Sequence, residues 1–383
     1  MTFDWTLVCS VCPTTATPEG LPTVCPSCGE PWLVRYDRRP DAALRPKLAA
    51  RPATMWRYRE WLPLRPGEEA VTLGEGMTPL VRVPSVERAL GVATVWIKDE
   101  AQNPTGSFKA RGMAAAVTRA VLAGASRFTV PTAGNAGVAL SAYGARADAD
   151  VRVYAPRSTP SRLLEQVGVH GGDLHVTDGH IGDCGKASRA WAAESGAFDM
   201  STLREPYRIE GKKTLGLEIA EQLEWTLPDA IIYPTGGGTG LIGMWKAFNE
   251  LRAAGWLSPD ARTRLFSVQS TGCAPVVRAF ETGAEAPTVW EDPETVASGL
   301  RVPGPLGGRL VLRGLRETGG EAVAVPDETL TAWQEQVAQE EGLDMSPEGG
   351  AAVAALAELV ERGTVARDAR VLVFNTGAGW LYR

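Results

Sequence analysis

From residue 93 onward the chain alternates between two kinds of segment. Short runs rich in β-branched and aromatic residues occur at ATVWIKDE (93–100), SRFTVPTA (126–133), ADVRVYAP (149–156), GDLHVTDG (172–179), DAIIYPT (229–235), TRLFSVQS (263–270) and ARVLVFNTG (369–377). Segments with helical spacing of apolar residues stand between them, such as MAAAVTRAVLA, SRLLEQVGVH and LIGMWKAFNELRAAG. This alternation predicts parallel sheets with helices on both faces, an α/β fold. Four glycine-rich turns come directly after or close behind such strands: NPTGSFK, PTAGNAG, PTGGGTG and NTGAG. In open parallel sheets ligands bind beyond the carboxyl ends of strands. Four such turns together point to a ligand site more strongly than any one alone.

The 383 residues suffice for two or three domains. With 44% apolar and 22% charged residues the composition is that of a globular protein. The net charge of −6 comes without a basic stripe, which argues against a nucleic-acid partner. No apolar run reaches the length of a membrane span, and MTFDWTLVCS lacks the pattern of a signal peptide. Cytoplasm is therefore the expected location, with no membrane partner.

Four of the six cysteines fall within the first 28 residues, as two CxxC pairs: Cys9 with Cys12 and Cys25 with Cys28. Two tight turns can present four thiolates tetrahedrally, so residues 1–35 read as a zinc-ribbon-like module. The alternative is a ribbon that keeps the fold without the metal. Residues 36–70, rich in Arg and Pro, read as a linker with one short helix around Trp56–Trp61. Trp5, Trp32, Trp56 and Trp61 are expected to pack these segments onto the body. The compact body starts near 71. Two lobes are expected: a large one from 71–124 and 211–383, and a small one from 125–210.

Lys109 stands alone in NPTGSFKARG (103–112), among small turn-forming residues. Ser107 reads as the cap of the helix that follows, which places Lys109 in its first turn. Helix dipole and burial both disfavour an ammonium there, as an imine-forming lysine requires. The turn PTGGGTGLIG (234–243) joins a strand to a helix. Its glycines let the backbone approach an anion at a helix N-terminus. It contains GxGxxG, but the next strand ends in Gln269 and Ser270. A dinucleotide site would want an acid there, so a single phosphate group fits better.

NPTGSFKARG resembles the lysine motif of the fold-type II pyridoxal-phosphate enzymes, the tryptophan-synthase-β-like superfamily. Within it the sequence is most similar to the threonine synthase branch. LGEGMTPL (73–80), WIKDE (96–100), TAGNAG (132–137), YRIEGKKT (207–214), PTGGGTG (234–240), PEGGAA (347–352) and NTGAG (375–379) stand in that family's order. The amino-terminal cysteine ribbon is also common in that branch. The resemblance implies pyridoxal 5'-phosphate held by Lys109 as a Schiff base, with Lys109 also the proton-transfer base. It implies that Gly236, Gly237, Gly238, Thr239 and Gly240 cradle the cofactor phosphate. Asn135 would bond the ring's phenolic oxygen, and Thr376 would meet the pyridine nitrogen. The implied substrate is a small amino acid, O-phosphohomoserine, converted with water to L-threonine and phosphate. Its carboxylate would lie over Thr132, Ala133, Gly134 and Asn135, and its phosphate against Arg208, Lys98, Thr78 or Ser107. A homodimer is the family's usual assembly.

Two departures bear on the substrate. Ala110 follows the lysine where many threonine synthases carry an acid, and the chain ends NTGAGWLYR without the charged residues that often follow the last glycine. A serine/threonine dehydratase or a β-replacing enzyme such as a cysteate synthase is the alternative on the same scaffold. A non-catalytic binder, with the ribbon as interaction module, is disfavoured by Lys109. His170, His175 and His180 invite a metal reading, but a spacing of five along a strand turns neighbours to opposite faces.

Overall fold

The computed structural model describes residues 5–37 and 39–383. Residues 1–4 of the expected ribbon and Arg38 of the expected linker lie outside them. The chain packs as two compact units. The first takes residues up to Met77 together with 103–218 and 246–259; the second takes 78–102, 219–245 and 260–383. Residues 71–77, 103–124, 211–218 and 246–259, which the sequence pattern assigned to the larger lobe, pack with the first unit.

The first unit contains a parallel sheet of four strands, ordered Asp173–Thr177, Asp150–Pro156, Arg127–Pro131 and Phe198–Asp199. The helix Asn135–Arg146 packs on it, and the helix Lys109–Leu122 packs in turn on that helix. Lys109–Leu122 is buried from Ala110 to Ala120, and Asn135–Arg146 from Asn135 to Gly144. A helix buried on all sides must be largely apolar or small, and these sequences are, with Arg111, Thr118 and Arg119 as the buried polar exceptions on the first. The Thr118 hydroxyl donates to Ala114 O at 2.6 Å and accepts from Val71 N at 2.9 Å.

A helix that the strand–helix pattern did not mark, Tyr207–Gln222, crosses the lysine helix at very short range. A Cβ on Gly211 would collide with the carbonyl of Arg111. A Cβ on Gly112 would stand 3.3 Å from Arg208 O. The glycines allow two backbones to touch. Beside that contact Arg111 forks onto Glu218 at 2.5 and 2.7 Å and onto the Thr214 hydroxyl at 3.0 Å, with both charged side chains fully buried.

The amino-terminal segment folds as a three-stranded antiparallel sheet, Thr15–Ala16, Trp5–Cys9 and Trp32–Tyr36. Trp5, Trp32 and Trp61 are buried, as expected of packing residues. Trp5 lies against the guanidinium groups of Arg65 and Arg119, each 5.0 Å from its ring centre. The short helix expected near Trp56–Trp61 is present as a 3₁₀ segment, Met55–Trp61. Trp61 meets Trp256 edge-on at 5.2 Å.

The second unit is built on a six-stranded sheet, ordered Ala322–Val325, Arg264–Ser270, Ala230–Pro234, Arg370–Asn375, Thr94–Asp99 and Leu80–Arg82. All neighbours are parallel except the last pair. An antiparallel edge strand on a parallel sheet is common among large α/β folds. Val95, Ile97, Ile232, Phe266, Val268, Val371 and Val373 form its core with Ala351, Val353, Ala354 and Leu356 from the helix Pro347–Glu361. No helix among the described residues is long and apolar enough to cross a membrane.

His180 caps the helix Ile181–Ser195, and His175 pairs with Asp173 at 3.0 Å.

Arg111→Met leaves the Glu218 carboxylate buried without its guanidinium. Loss of one partner of a buried pair costs about 3–5 kcal/mol. Urea unfolding followed by circular dichroism is expected to show that loss.

Candidate active site

The loop before Lys109 is shaped by backbone geometry. Thr105 adopts φ +67° inside the turn Pro104–Gly106, and Ser107 is extended. The helix then begins at Lys109 with Phe108, not Ser107, at its cap position. The serine therefore does not do what its place in the sequence suggested. Its hydroxyl is fully buried and makes no hydrogen bond. Lys109 lies half-buried in the first turn, its Nζ 4.3 Å from the centre of the Phe108 ring.

Strand Arg127–Pro131 ends at the second turn. The Thr132 hydroxyl donates to Gly134 O at 2.9 Å and accepts from Gly134 N at 3.0 Å. This closes residues 132–134, with Ala133 at the tip, over the first turn of the helix Asn135–Arg146. Unpaired N–H groups at a helix start suit a carboxylate. Asn135 is buried there. The neighbouring strand, Phe198–Asp199, leads at its own carboxyl end to Met200 and on to Arg208. Arg208 is buried, donates to Met200 O at 2.9 Å, and keeps a buried Nε without a partner.

Glu205, which sequence reasoning passed over, caps the helix that carries Arg208. Its carboxylate accepts from Tyr207 N at 2.8 Å and from Arg208 N at 3.1 Å. Burial pushes its pKa up to about 7 against the pull of the Arg208 charge. A Glu two residues ahead of a helical run was the available signal.

In the second unit the register decides what meets. Ile231 pairs with Leu372 and Ile232 with Val373, so the strands Ala230–Pro234 and Arg370–Asn375 finish side by side. Asn375 is level with Asp99 of the next strand, and its amide donates to Asp99 at 2.8 Å. The turn Gly236–Gly240 and Thr376 thus leave the same edge of the sheet. Thr78 joins that edge, its hydroxyl donating to the buried Glu100 at 2.6 Å. Lys98 points elsewhere: its ammonium donates to Thr78 O at 2.7 Å and to the Gln222 amide oxygen at 2.8 Å. It holds the loop that carries Thr78.

The glycine turn is a cradle that side chains would fill. A Cβ on Gly236 would strike the carbonyl of Gly299, and one on Gly240 the Tyr233 hydroxyl. Gly238 has φ +80°, which only glycine adopts without strain. The helix Thr239–Ala253 starts at this turn. Backbone N–H groups at the start of a helix, with no side chains in the way, suit a phosphate. Glu348 supports the arrangement from behind, accepting from Gly299 N at 2.7 Å. Within the second unit, these residues fit a phosphate group.

Sequence comparison agrees. A family profile described as "Pyridoxal-phosphate dependent enzyme" matches residues 71–377. The chain is 34% identical to a threonine synthase of Methanosarcina acetivorans over 92% of this chain and 86% of that one. It is 33% identical to a threonine synthase of Methanocaldococcus jannaschii over 90% and 84%. Among solved structures, a maize serine racemase superposes with TM-score 0.69 at 21% identity, covering 79% of this chain and 88% of that one. An L-serine ammonia-lyase from Rhizomucor miehei gives 0.68 at 21%, covering 81% and 95%. These two speak for the fold. The chain belongs to the family of pyridoxal-phosphate dependent enzymes that includes the threonine synthases.

Glu205 supplies a pH test. Its folded pKa, raised to about 7, lies above the unfolded value of about 4.3. The stability it contributes is fully present below the unfolded value and is lost as pH rises through about 7. Glu205→Gln keeps an acceptor for the helix start but cannot ionise. Melting temperatures measured from pH 5 to 8 are expected to move in favour of the variant as pH rises; a constant difference would reject the assignment.

Proposed function

We propose that this chain is a carbon–oxygen lyase that converts O-phosphohomoserine and water to L-threonine and phosphate, with pyridoxal 5'-phosphate as cofactor. Identity above 30% with threonine synthases over most of both chains carries this reading. Lys109 holds the cofactor covalently through its amine. Backbone N–H groups of Gly236, Gly237, Gly238, Thr239 and Gly240 take its phosphate, Asn135 its phenolic oxygen and Thr376 its ring nitrogen. Bound there, the cofactor supplies an electron sink for the pair left at the substrate's Cα. A neutral hydroxyl at Thr376 does not enforce a charged ring nitrogen, which suits elimination and replacement over transamination.

The substrate carboxylate is held at Thr132, Ala133, Gly134 and Asn135. Arg208 and Ser107 are the groups we assign to its phosphate. Each is buried with a polar atom that the protein leaves unpaired; Thr78, whose hydroxyl proton is taken by Glu100, is not assigned as a donor. Lys98 keeps a supporting part through Thr78. Lys109 would take the proton at Cα and then one at Cβ, and phosphate would leave from Cγ with the C–O bonding pair. The two protons would return, one to Cγ and one to Cα, while water adds its hydroxyl at Cβ and its remaining proton leaves with the phosphate.

The four cysteines suit zinc. Their sulfurs all lie within 4.8 Å of one another, with Cys9–Cys28 at 3.4 Å and Cys12–Cys25 at 3.6 Å. A tetrahedral site with Zn–S bonds of about 2.3 Å needs sulfurs about 3.8 Å apart. The N–H groups of Val11 and Cys12 face Cys9 Sγ at 3.5 Å, as a thiolate prefers. Four thiolates leave no open position, so the metal is structural. A cytoplasmic homodimer completes the reading, checked by sedimentation.

Purified protein is expected to show an absorption band of a lysine-bound cofactor that Lys109→Ala abolishes. With O-phosphohomoserine, phosphate and threonine should appear in equal amounts. The band without turnover would move the substrate to O-phosphoserine or an unphosphorylated hydroxyamino acid. Elemental analysis should find one zinc per chain, and Cys12→Ser should lower both zinc content and melting temperature.

A further inference from the structure

The YRIEGKKT stretch contains a lysine that the proposed chemistry leaves unused. Lys212 lies on the helix Tyr207–Gln222 and is fully buried. Its ammonium donates to the carbonyl of Phe108, the residue at which the lysine helix begins. It stands 4.1 Å from the centre of the Phe108 ring. The Nζ of Lys109 stands 4.3 Å from the same centre. One aromatic ring therefore carries two lysines from two helices.

The packing makes room for this. A Cβ on Gly112 would lie 3.1 Å from Lys212 Cε and 3.3 Å from its Nζ. The other charged groups of the two helices here are committed. Arg111 is forked onto Glu218, and Glu218 also accepts from Met77 N at 2.8 Å. Lys213 and Lys246 share Glu210 and Glu250. Arg208 is bonded to Met200 O, and Glu205 to the helix start. Lys212 thus sets a positive charge at the N-terminus of the lysine helix, where the backbone dipole is already positive. Burying an ammonium is costly, and one placed on the residue next to Lys109 acts on Lys109. A lysine beside another cation is held as the free amine, the form that attacks a carbonyl.

We propose that Lys212 is a positioning residue for Lys109: anchored on the Phe108 carbonyl, it fixes the ring on which Lys109 rests and keeps a second ammonium from forming beside it. This rests on the reading of Lys109 as the cofactor-bearing lysine. The test uses cofactor-free full-length protein, wild type, Lys212→Met and Lys212→Arg, with melting curves to confirm folding. Pyridoxal phosphate is added between pH 6 and 11, and the rise of the lysine-bound absorption band is timed. In parallel, reductive methylation of Lys109 without cofactor is scored by mass spectrometry.

The pH midpoint for both is expected to rise by about one unit in Lys212→Met and to stay near the wild-type value in Lys212→Arg. Folded Lys212→Met with an unmoved midpoint overturns the proposal and leaves the lysine–cofactor reading standing. Wild-type protein that forms no band overturns that reading and this one with it. If Lys212→Met does not fold, Lys212→Gln, which keeps a donor for the Phe108 carbonyl without the charge, replaces it: a midpoint raised above wild type supports the proposal, and an unmoved midpoint overturns it.

Discussion

The first unit depends on the contact between the lysine helix and the helix Tyr207–Gln222. Their backbones touch because Gly112 and Gly211 carry no side chains. At that distance Arg111 has nowhere to go but inward, and it is stable there only because Glu218 and Thr214 receive it. Glu218 in turn accepts from Met77 N, which ties the LGEGMTPL loop to the same contact. Glu75 of that loop repeats the principle, accepting from Trp56 Nε1 at 2.6 Å and from the Tyr143 hydroxyl at 2.6 Å. A buried carboxylate must be fully paired. Two of them therefore gather the lysine helix, the asparagine helix and the loop into one arrangement.

Sheet register does the corresponding work in the second unit. Parallel strands that end level with one another deliver the glycine turn and Thr376 to one edge. Chemistry at such an edge needs no special fold, only the right residue two or three positions past each strand. The glycines of residues 236–240 keep that edge open, because the carbonyl of Gly299 and the ring of Tyr233 occupy the space side chains would take.

The cysteine ribbon is too small to have a core of its own. It is held by aromatic residues at its rim. The Tyr36 hydroxyl donates to Glu210 at 2.7 Å, and the Tyr207 hydroxyl to Pro18 O at 3.3 Å. Lys213 lies 4.3 Å over the Tyr36 ring. The ribbon therefore rests on the first turns of the helix that carries Arg208 and Lys212.

The sequence by itself determined the α/β class, the glycine turns after the strands, the cysteine quartet and the position of Lys109 in a first helical turn. These are local: period, turn chemistry and short spacings are written in neighbouring residues. Short elements such as Leu80–Arg82 and Ala322–Val325 went unread because three or four residues carry too little pattern. The helix Tyr207–Gln222 was read only as a motif, since its buried charges Arg208, Glu210, Lys212, Lys213 and Glu218 hide any apolar stripe. Ser107 looked like a cap, and tertiary structure instead buried its hydroxyl unpaired. Lys98 looked like a phosphate ligand, and the fold turned it onto Thr78 O and Gln222. Only the tertiary structure could decide these. A charged side chain's role is set by which partner comes within about 3 Å of it, and those partners lie up to a hundred or more residues away in the chain.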